Sequence, residues 1–346
     1  MVAIANPSPV DLQPNADEAF LAADVGGTHV RIARVTATGL ARQPVAIFDY
    51  RKYACADYPG LGEIVQDFLR SLPAPVSRGV IASAGFPLDD GTVITANLPW
   101  SLHPERIRQQ AGLLELRLVN DFQAVAYAAA QVDASQVLQL TGPEQGPAGP
   151  QLVLGPGTGL GAAVWIPAQP RPIVLPTEAG QAALAGGNEL EITLIRHLLR
   201  ERGHVSIEHA LSGPGLLNLY RALCALRQVQ PTLVAPGDIT AAALANSDEH
   251  AYDEHAHDAL QVFCALLGSV VGDLALLYGI QGGIYLAGGI LPQIRDFLPT
   301  SDFVPRFLNK GPMRQALERI PVKLVEHGQL GVIGAASWYL DQTGSR

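Results

Sequence analysis

The stretch LVLGPGTGLGAAVW, residues 152–165, places four glycines and a threonine between two apolar runs. Glycine and proline at this density indicate a turn, and the apolar run that follows, with Val164 and Trp165, is typical of a strand. The chain contains no G-x-x-x-x-G-K-[ST] motif, and these glycines do not fit G-x-G-x-x-G followed by a helix. The stretch therefore predicts strand, glycine-rich turn and strand, and by itself it favours an ordinary tight turn over a phosphate-binding loop.

A second stretch, FLAADVGGTHVRIARV, residues 20–35, has the same form. An apolar strand enters a Gly-Gly-Thr turn, and another strand leaves it. Two related turns in the two halves of the chain indicate two similar lobes, each presenting a hairpin turn to a shared cleft. Glycines at such turns let backbone N–H groups approach an anion without a Cβ in the way. The pair of turns favours polyphosphate binding, with two unrelated β-turns as the alternative.

The composition is that of a compact metabolic protein. The chain has 346 residues, of which 48% are hydrophobic and 16% charged, and this length predicts two α/β lobes. A net charge of -9 argues against nucleic acid or an anionic membrane as the main partner. Three scattered cysteines indicate buried thiols in a reducing cytoplasm, and residues 1–19, which lack the pattern of a signal peptide, are expected to be a flexible extension.

A polar pair lies where a buried strand is predicted to give way to a helix. Residues 78–82 and 116–119 have the character of buried strands, and residues 122–131 carry apolar side chains at helical spacing. Asn120 and Asp121 lie at the second junction. Ligands of α/β sheets bind beyond the carboxyl ends of strands, so Asp121 is a candidate catalytic residue. Its alternative role is to cap the helix.

The most apolar region, residues 268–291, is interrupted by Asp273, Gln281 and several glycines, which favours a buried helix and strand over a membrane span. Overlapping its end, GIYLAGGILPQI, residues 283–294, predicts a strand, a Gly-Gly turn and a helix whose backbone can approach a flat ring or a phosphate.

Three histidines stand beside acidic residues in SDEHAYDEHAHD, residues 247–258. Such a segment can bind a metal ion. The spacing of His250, His255 and His257 supplies no well-defined ligand set, so we favour a solvated, acidic helix start.

Five motifs together resemble the bacterial ATP-dependent glucokinase family. They are DVGGTHVRIARV, LRLVNDFQAVAYA, LGPGTGLGAAVW, ERGHVSIEHALSGPGLLNLYRAL and GIYLAGGILP, and they occur in the family's order from about residue 20 to the C-terminus. The cysteine-rich zinc motif of the related repressors and kinases is missing, so the resemblance is to the non-zinc branch. It implies an α/β fold of the actin-like ATPase (ribonuclease H-like, hexokinase-type) class, with the active-site cleft between a small and a large domain.

The resemblance implies a set of residues for ATP and Mg²⁺. Asp24 is expected near Mg²⁺, which it would bind through water, and near the transferred phosphate. The remaining nucleotide residues form two phosphate turns and an adenosine segment: Gly26, Gly27 and Thr28; Gly157, Thr158 and Gly159; Gly288 and Gly289.

The resemblance also implies a sugar site and a catalytic base. Asn120 is expected to bind a sugar hydroxyl, and Asp121 to accept the proton of the attacking 6-hydroxyl. Glu178 and Glu208 match the family's sugar-binding glutamates, in PTEAGQ and VSIEHALSG. Asn97, in TANLPW, is a weaker match to an asparagine of the same cleft.

One position departs from the family pattern. Where the family has a sugar-contacting histidine three residues after the first glutamate, this chain has Gln181. Glutamine can donate and accept hydrogen bonds, but it cannot carry the charge of an imidazolium. Gln181 therefore leaves the identity of the sugar and the catalytic strength open.

The sequence predicts a glucokinase that transfers the γ-phosphate of ATP to the 6-hydroxyl of D-glucose, giving glucose 6-phosphate and ADP. The alternatives are a kinase for another hexose or amino sugar, and a sugar-binding regulator with little turnover. We expect a small domain of residues 20–130 plus 328–346 and a large domain of residues 131–327. The C-terminal helix, residues 330–340, has apolar positions that require a packing partner. The resemblance further implies a homodimer, and the net charge and cysteine usage predict a cytoplasmic protein that binds no nucleic acid and no membrane.

Overall fold

The computed structural model describes residues 19–40, 43–87, 92–94, 98, 100–129, 132, 136–246, 251–325 and 328–344. Its strands are β1 Phe20–Val25, β2 His29–Leu40, β3 Gln43–Ala54, β4 Arg78–Ser83, β5 Phe86–Pro87, β6 Val93–Ile94, β7 Glu115–Asn120, β8 Val137–Thr141, β9 Gln151–Pro156, β10 Leu160–Ile166, β11 Ile173–Thr177, β12 Gly283–Leu286 and β13 Val322–Val325. Its α-helices are α1 Leu61–Arg70, α2 Pro104–Ala111, α3 Asp121–Ala129, α4 Glu189–Leu198, α5 Gly213–Leu226, α6 Pro236–Leu244, α7 Glu254–Leu277, α8 Phe303–Leu308, α9 Arg314–Leu317 and α10 Leu330–Thr343.

The chain divides into two compact units. Unit 1 comprises Met1–Ala124 and Gly331–Arg346, and unit 2 comprises Val125–Leu330. The first division falls inside α3, and the second falls at the start of α10.

Unit 1 contains a five-stranded sheet in the order β3-β2-β1-β4-β7. Strands β1, β4 and β7 are parallel, whereas β2 and β3 form an antiparallel meander on one side. Successive side chains of β1 point to opposite faces of the sheet, as in any β-strand. Leu21 and Ala23 pack in a core with α1, and Phe20 and Ala22 pack in a core with α10. Helices on both faces are typical of an α/β sheet with a parallel centre.

Unit 2 repeats this arrangement with one additional strand, in the order β11-β10-β9-β12-β13-β8. Strands β9, β12 and β13 are parallel, and β10 and β11 form the antiparallel meander. One face of this sheet joins a single large core with α5, α7 and α8. The two glycine-rich hairpins of the sequence therefore occupy equivalent places, between a central strand and the first strand of the antiparallel meander: β1 and β2 in unit 1, β9 and β10 in unit 2.

Helix α7 is the central helix of unit 2. By length and composition alone it could cross a membrane, but 72% of its most apolar stretch is buried inside the protein. Phe263, Leu267 and Val271 belong to the same core as the sheet. The apolar region is thus a buried helix followed by the strand β12, as the interrupting polar residues predicted.

The structure extends several predicted elements and changes one. Residues 78–82 and 116–119 form strands β4 and β7, each slightly longer than predicted, and the predicted C-terminal helix is α10. After β12 and the Gly-Gly turn, the predicted helix is a short 3-10 helix, Leu291–Ile294. Pro292 has no N–H to donate, so this short turn begins with one fewer backbone donor.

Candidate active site

Three parallel strands of unit 1 end together at one edge of the sheet. The register aligns Val25 of β1 with Ser83 of β4, and Ser83 with Asn120 of β7. The first glycine turn, residues 26–28, follows β1 at this edge, and Asp121 follows β7. The carboxyl edge of a parallel sheet is where α/β proteins bind ligands, so the predicted phosphate turn and the predicted base share one such edge.

Asp24 lies just before the first glycine turn and pairs across the hairpin with Arg31. Its Oδ2 is 3.4 Å from Nη1 of Arg31, in a half-buried ion pair. Burial raises the pKa of the Asp24 carboxyl above its usual range, and the Arg31 guanidinium opposes this shift. A carboxylate beside a phosphate turn fits Mg²⁺, which usually takes one or two protein carboxylates together with phosphate oxygens and waters.

The start of helix α10 packs directly against Asp24. A Cβ added to Gly331 would lie 2.4 Å from Cγ of Asp24 and 2.7 Å from its Oδ1. Such distances leave no room for any side chain at position 331. The C-terminal helix therefore holds the Asp24 carboxylate in place from one side, while Arg31 holds it from the neighbouring strand.

Asn120 and Asp121 both bind backbone N–H groups at the start of α3. The Asn120 Oδ1 accepts a hydrogen bond from the Gln123 N–H at 3.0 Å, and the Asp121 Oδ1 accepts one from the Phe122 N–H at 2.9 Å. Asn120 is thus the N-cap of this helix, the role considered for Asp121 from the sequence. Both side chains are oriented by the backbone, and each is only partly buried.

A close helix crossing fixes the position of α3. A Cβ added to Gly334 of α10 would lie 1.9 Å from the backbone oxygen of Ala124 in α3. Only glycine allows the two backbones to approach this closely. Since Asp121 is the first residue of α3, this crossing also positions the predicted base relative to the sheet.

The second glycine turn, residues 157–159, connects β9 to β10 in unit 2. The Gly157 N–H donates to the Gly159 oxygen at 2.7 Å, and the Gly213 N–H donates to the Gly157 oxygen at 2.8 Å. The first residue of α5 is therefore bonded to the turn. A Cβ added to Gly157 would meet no atom within 4 Å beyond its two chain neighbours, so the turn is open on that side.

The predicted adenosine segment lies against the second glycine turn. A Cβ added to Gly288 would lie 2.5 Å from the Pro156 oxygen, and one added to Gly155 would lie 2.5 Å from the Ala287 oxygen. Gly288 also has a φ of 103°, which disfavours any other residue. Gly289, by contrast, has open space where its Cβ would be. Unit 2 therefore brings two of the predicted nucleotide segments side by side.

The predicted sugar residues of unit 2 also lie together. Glu208 accepts a hydrogen bond from the Gln181 Nε2 at 3.2 Å through Oε1, and from the Leu160 N–H at 2.7 Å through Oε2. The Gln181 backbone N–H in turn donates to the backbone oxygen of Glu178 at 2.9 Å. We call Glu178, Gln181 and Glu208 the sugar cluster. One carboxylate of this cluster is bonded directly to the residue that follows the second glycine turn.

Sequence reasoning missed the residues that hold this cluster in place. The His204 Nε2 lies 3.0 Å from the Gln181 backbone oxygen, and the Ile207 N–H donates to the Ala182 oxygen at 2.8 Å. Sequence reasoning also missed a buried ion pair elsewhere in unit 2, in which both oxygens of Glu191 accept bonds from the Arg306 guanidinium, at 2.5 and 2.9 Å. Of these residues, only His204 and Ile207 lie in a motif that the sequence analysis identified, ERGHVSIEHALSGPGLLNLYRAL.

Two sequence predictions fall partly or wholly outside the described residues. Asn97 is not among them, and neither is His250. The other two histidines of that segment, His255 and His257, lie in the first turn of helix α7. The Asp253 side chain caps this helix by accepting hydrogen bonds from the backbone N–H groups of His255 and Ala256. In the described part of the chain, no group of three or more histidine, cysteine or acidic side chains is arranged to hold a metal ion.

Comparisons with known proteins agree with this geometry. The family model named Glucokinase matches residues 21–342. A glucokinase-like protein of Xylella fastidiosa (strain Temecula1) is 58% identical over 336 residues, which cover 97% of this chain and 98% of that protein. The glucokinase of Saccharophagus degradans is 36% identical over 323 residues, which cover 93% of this chain and 98% of that protein.

Solved structures show the same fold. The crystal structure of a glucokinase from an Antarctic psychrotroph matches with a TM-score of 0.79 at 36% identity, covering 93% of this chain and 98% of that one. A glucokinase from Balamuthia mandrillaris in complex with glucose matches with a TM-score of 0.76 at 20% identity and 94% coverage of both chains. The predicted fold class, an α/β protein of the actin-like ATPase type, is confirmed. By its family model, its relatives and its fold, the chain belongs to the glucokinase family.

Proposed function

We propose that this protein transfers the γ-phosphate of ATP to the 6-hydroxyl of D-glucose, giving glucose 6-phosphate and ADP. The observation that carries the proposal is the register of Val25, Ser83 and Asn120. It sets the first glycine turn and Asp121 at the same sheet edge. Phosphoryl transfer asks a protein mainly to align the nucleophile with the phosphate and to stabilise charge, so both must meet at one place.

In this mechanism Asp121 is the general base. The Phe122 N–H binds its Oδ1 and so orients the carboxylate that takes the proton of the 6-hydroxyl. Positioned general-base catalysis contributes about 10²–10⁴-fold to the rate. Asn120 uses its Oδ1 as a helix cap, so its Nδ2 is the group that donates to a sugar hydroxyl.

The two glycine turns bind the phosphates of ATP in this proposal. Their backbone N–H groups supply dipoles where negative charge develops, and the open side of Gly157 lets a phosphate approach the main chain. Gly288 and Gly289 line the place of the adenosine. The Asp24 carboxylate would hold Mg²⁺ through water, and the ion supplies charge neutralisation at the phosphates when it is bound.

The sugar cluster binds the substrate ring. Glu208 has an oxygen bonded to Gln181 and another bonded to Leu160, and each oxygen retains a second lone pair for a sugar hydroxyl. Glu178 is exposed and supplies a further carboxylate. Asn97 completes the set in the proposal. Glucose is the substrate named for the family, and Gln181 is the observation that keeps another hexose as the second candidate.

A coupled assay of ADP formation tests the function directly. With ATP and Mg²⁺, we expect the highest kcat/KM for glucose among glucose, mannose, fructose and N-acetylglucosamine. A higher value for another sugar would reassign the substrate. If glucose binds in calorimetry but no sugar gives turnover above that of the Asp121→Asn control, the protein is a sugar-binding regulator.

We also propose the small domain as residues 20–130 plus 328–346 and the large domain as residues 131–327. The contact division after Ala124 and after Leu330 supports these bounds. A homodimer is proposed from the family resemblance. A cytoplasmic location is proposed from three buried free thiols, Cys55, Cys224 and Cys264. Size-exclusion chromatography with light scattering tests the dimer.

A further inference from the structure

A cavity of about 450 Å³ lies at the edge of the unit 2 sheet opposite the second glycine turn. It is lined at the beginning of β9 by Gln151 and at the beginning of β12 by the backbone of Gly282. The strand β9 rises about 3.3 Å per residue, so its six residues separate the cavity from the turn by roughly 17 Å. The cavity is therefore separate from the proposed active site. We call it the distal cavity.

The side chains of the distal cavity come from the face of the sheet that does not join the large core. Trp165 of β10 pairs with Gln151, and Tyr285 of β12 pairs with Lys323 of β13. Their neighbours along the strands, such as Leu152 and Ile284, point to the opposite face and belong to the core. The alternation of the strands thus collects two aromatic rings, an amide and an ammonium group on one concave surface.

Beside the cavity, Gly282 and Gly283 lie shortly before Tyr285 in the chain, and Gly282 lines the cavity. A Cβ added to Gly283 would lie 3.5 Å from Cε2 of Tyr285, so the tyrosine ring extends over the backbone of that residue. The segment that contains Gln145 covers another side of the cavity. A volume of several hundred Å³ with such walls is in the range of small-molecule sites.

The lining determines the chemistry of a ligand. Among the described residues that line it, Lys323 alone is charged and none carries a carboxylate. Trp165 and Tyr285 offer flat apolar faces against which a ring can stack, and Gln145 and Gln151 can exchange hydrogen bonds with hydroxyl or amide groups. A lysine ammonium binds phosphate as a point charge.

We propose that the distal cavity binds a small ring-bearing phosphate, with the phosphate on Lys323 and the ring between Trp165 and Tyr285. Two sources share this chemistry, a sugar phosphate and a mononucleotide. The site is independent of the proposed kinase activity, because none of the residues assigned to catalysis, sugar binding or ATP binding lines it.

Fluorine NMR of the full chain labelled with 5-fluorotryptophan tests this proposal at the site itself. The protein has three tryptophans, and a Trp165→Phe variant identifies the Trp165 resonance. We expect glucose 6-phosphate or AMP to shift that resonance with saturation, and the compound with the lower dissociation constant identifies the source. Glucose alone should leave it unchanged.

Lysine variants separate binding from structural damage. Lys323→Met should weaken binding about tenfold or more, because it removes a charge-assisted bond, and Lys323→Arg should restore it. Lys52→Met, an exposed lysine in unit 1, is the matched control and should bind like wild type. Melting temperature and glucose turnover monitor the fold. No saturable shift, an equal affinity for inorganic phosphate, or binding unaffected in Lys323→Met would overturn the proposal.

Discussion

Two glycines of the same hairpin offer a test that separates ligand binding from folding. Gly157, in the second glycine turn, has open space where a Cβ would be, and its φ is not left-handed. Gly155, two residues earlier, would place a Cβ 2.5 Å from the Ala287 oxygen and 2.7 Å from its carbonyl carbon. The same change to alanine should therefore affect different properties at the two positions.

The expected magnitudes follow from these surroundings. At Gly157 the methyl group would occupy the side from which a phosphate reaches the backbone, and a hydrogen bond to a charged group is worth about 1.5–3 kcal/mol. Losing one such bond raises KM for ATP by about 10- to 100-fold without changing stability. At Gly155 the backbone of the neighbouring strand end must shift, and overpacking of this kind costs about 1–3 kcal/mol.

Thermal unfolding and steady-state kinetics measure the two effects on the same preparations. Gly155→Ala should lower the melting temperature by about 2–4 °C for each kcal/mol, and Gly157→Ala should leave it unchanged. The KM for glucose should change little in Gly157→Ala. A Gly157→Ala enzyme with normal stability and a normal KM for ATP would refute the assignment of this turn to the phosphates.

The other predictions concern side chains that the structure connects. Asp121→Asn should retain glucose binding in calorimetry and reduce kcat by about 10²–10⁴-fold; turnover near wild type would exclude it as the base. Gln181→His should raise kcat/KM for glucose several-fold, since one improved neutral hydrogen bond is worth about 0.5–1.5 kcal/mol; a loss of glucose activity in the kinetics would contradict this. Glu208→Gln should raise KM for both glucose and ATP, and an effect on glucose alone would show that the hydrogen bond from the Leu160 N–H to Glu208 does not matter for ATP binding. Arg306→Met should lower the free energy of unfolding by about 3 kcal/mol in denaturant melts, because it leaves Glu191 buried without its ion pair; a change below 1 kcal/mol would refute that role.

Local patterns predicted the hairpins and the strand ends well. Once the first glycine turn is placed, the antiparallel pairing follows by counting outward, and it sets Asp24 opposite Arg31. The helix boundary at Asn120 was also predictable, because polar residues between an apolar strand and a periodic helix mark a cap. What local patterns did not show is which of Asn120 and Asp121 caps the helix, since both residue types are common there.

Contacts between distant segments could not be predicted from a single sequence. Gly331 and Gly334 look like ordinary small residues within an apolar helix, which by propensity they weaken. Their role becomes visible only when α10 lies against Asp24 and against the Ala124 oxygen. The family resemblance supplied the remaining site residues, and it did so without indicating how they are held.

Glu208 illustrates this difference most clearly. The resemblance gave it a role in sugar binding, and nothing in VSIEHALSG indicates an acceptor for a backbone N–H 48 residues earlier in the chain. In the structure its Oε2 binds the Leu160 N–H, at the exit of the second glycine turn, while its Oε1 binds Gln181. The Gly180 position admits no side chain because the Leu160 oxygen would lie 2.5 Å from a Cβ there. The segment that should recognise the sugar and the turn that should hold the phosphates are therefore bonded to each other within unit 2. A change at Gln181 alters one end of this connection only, whereas a change at Glu208 alters both.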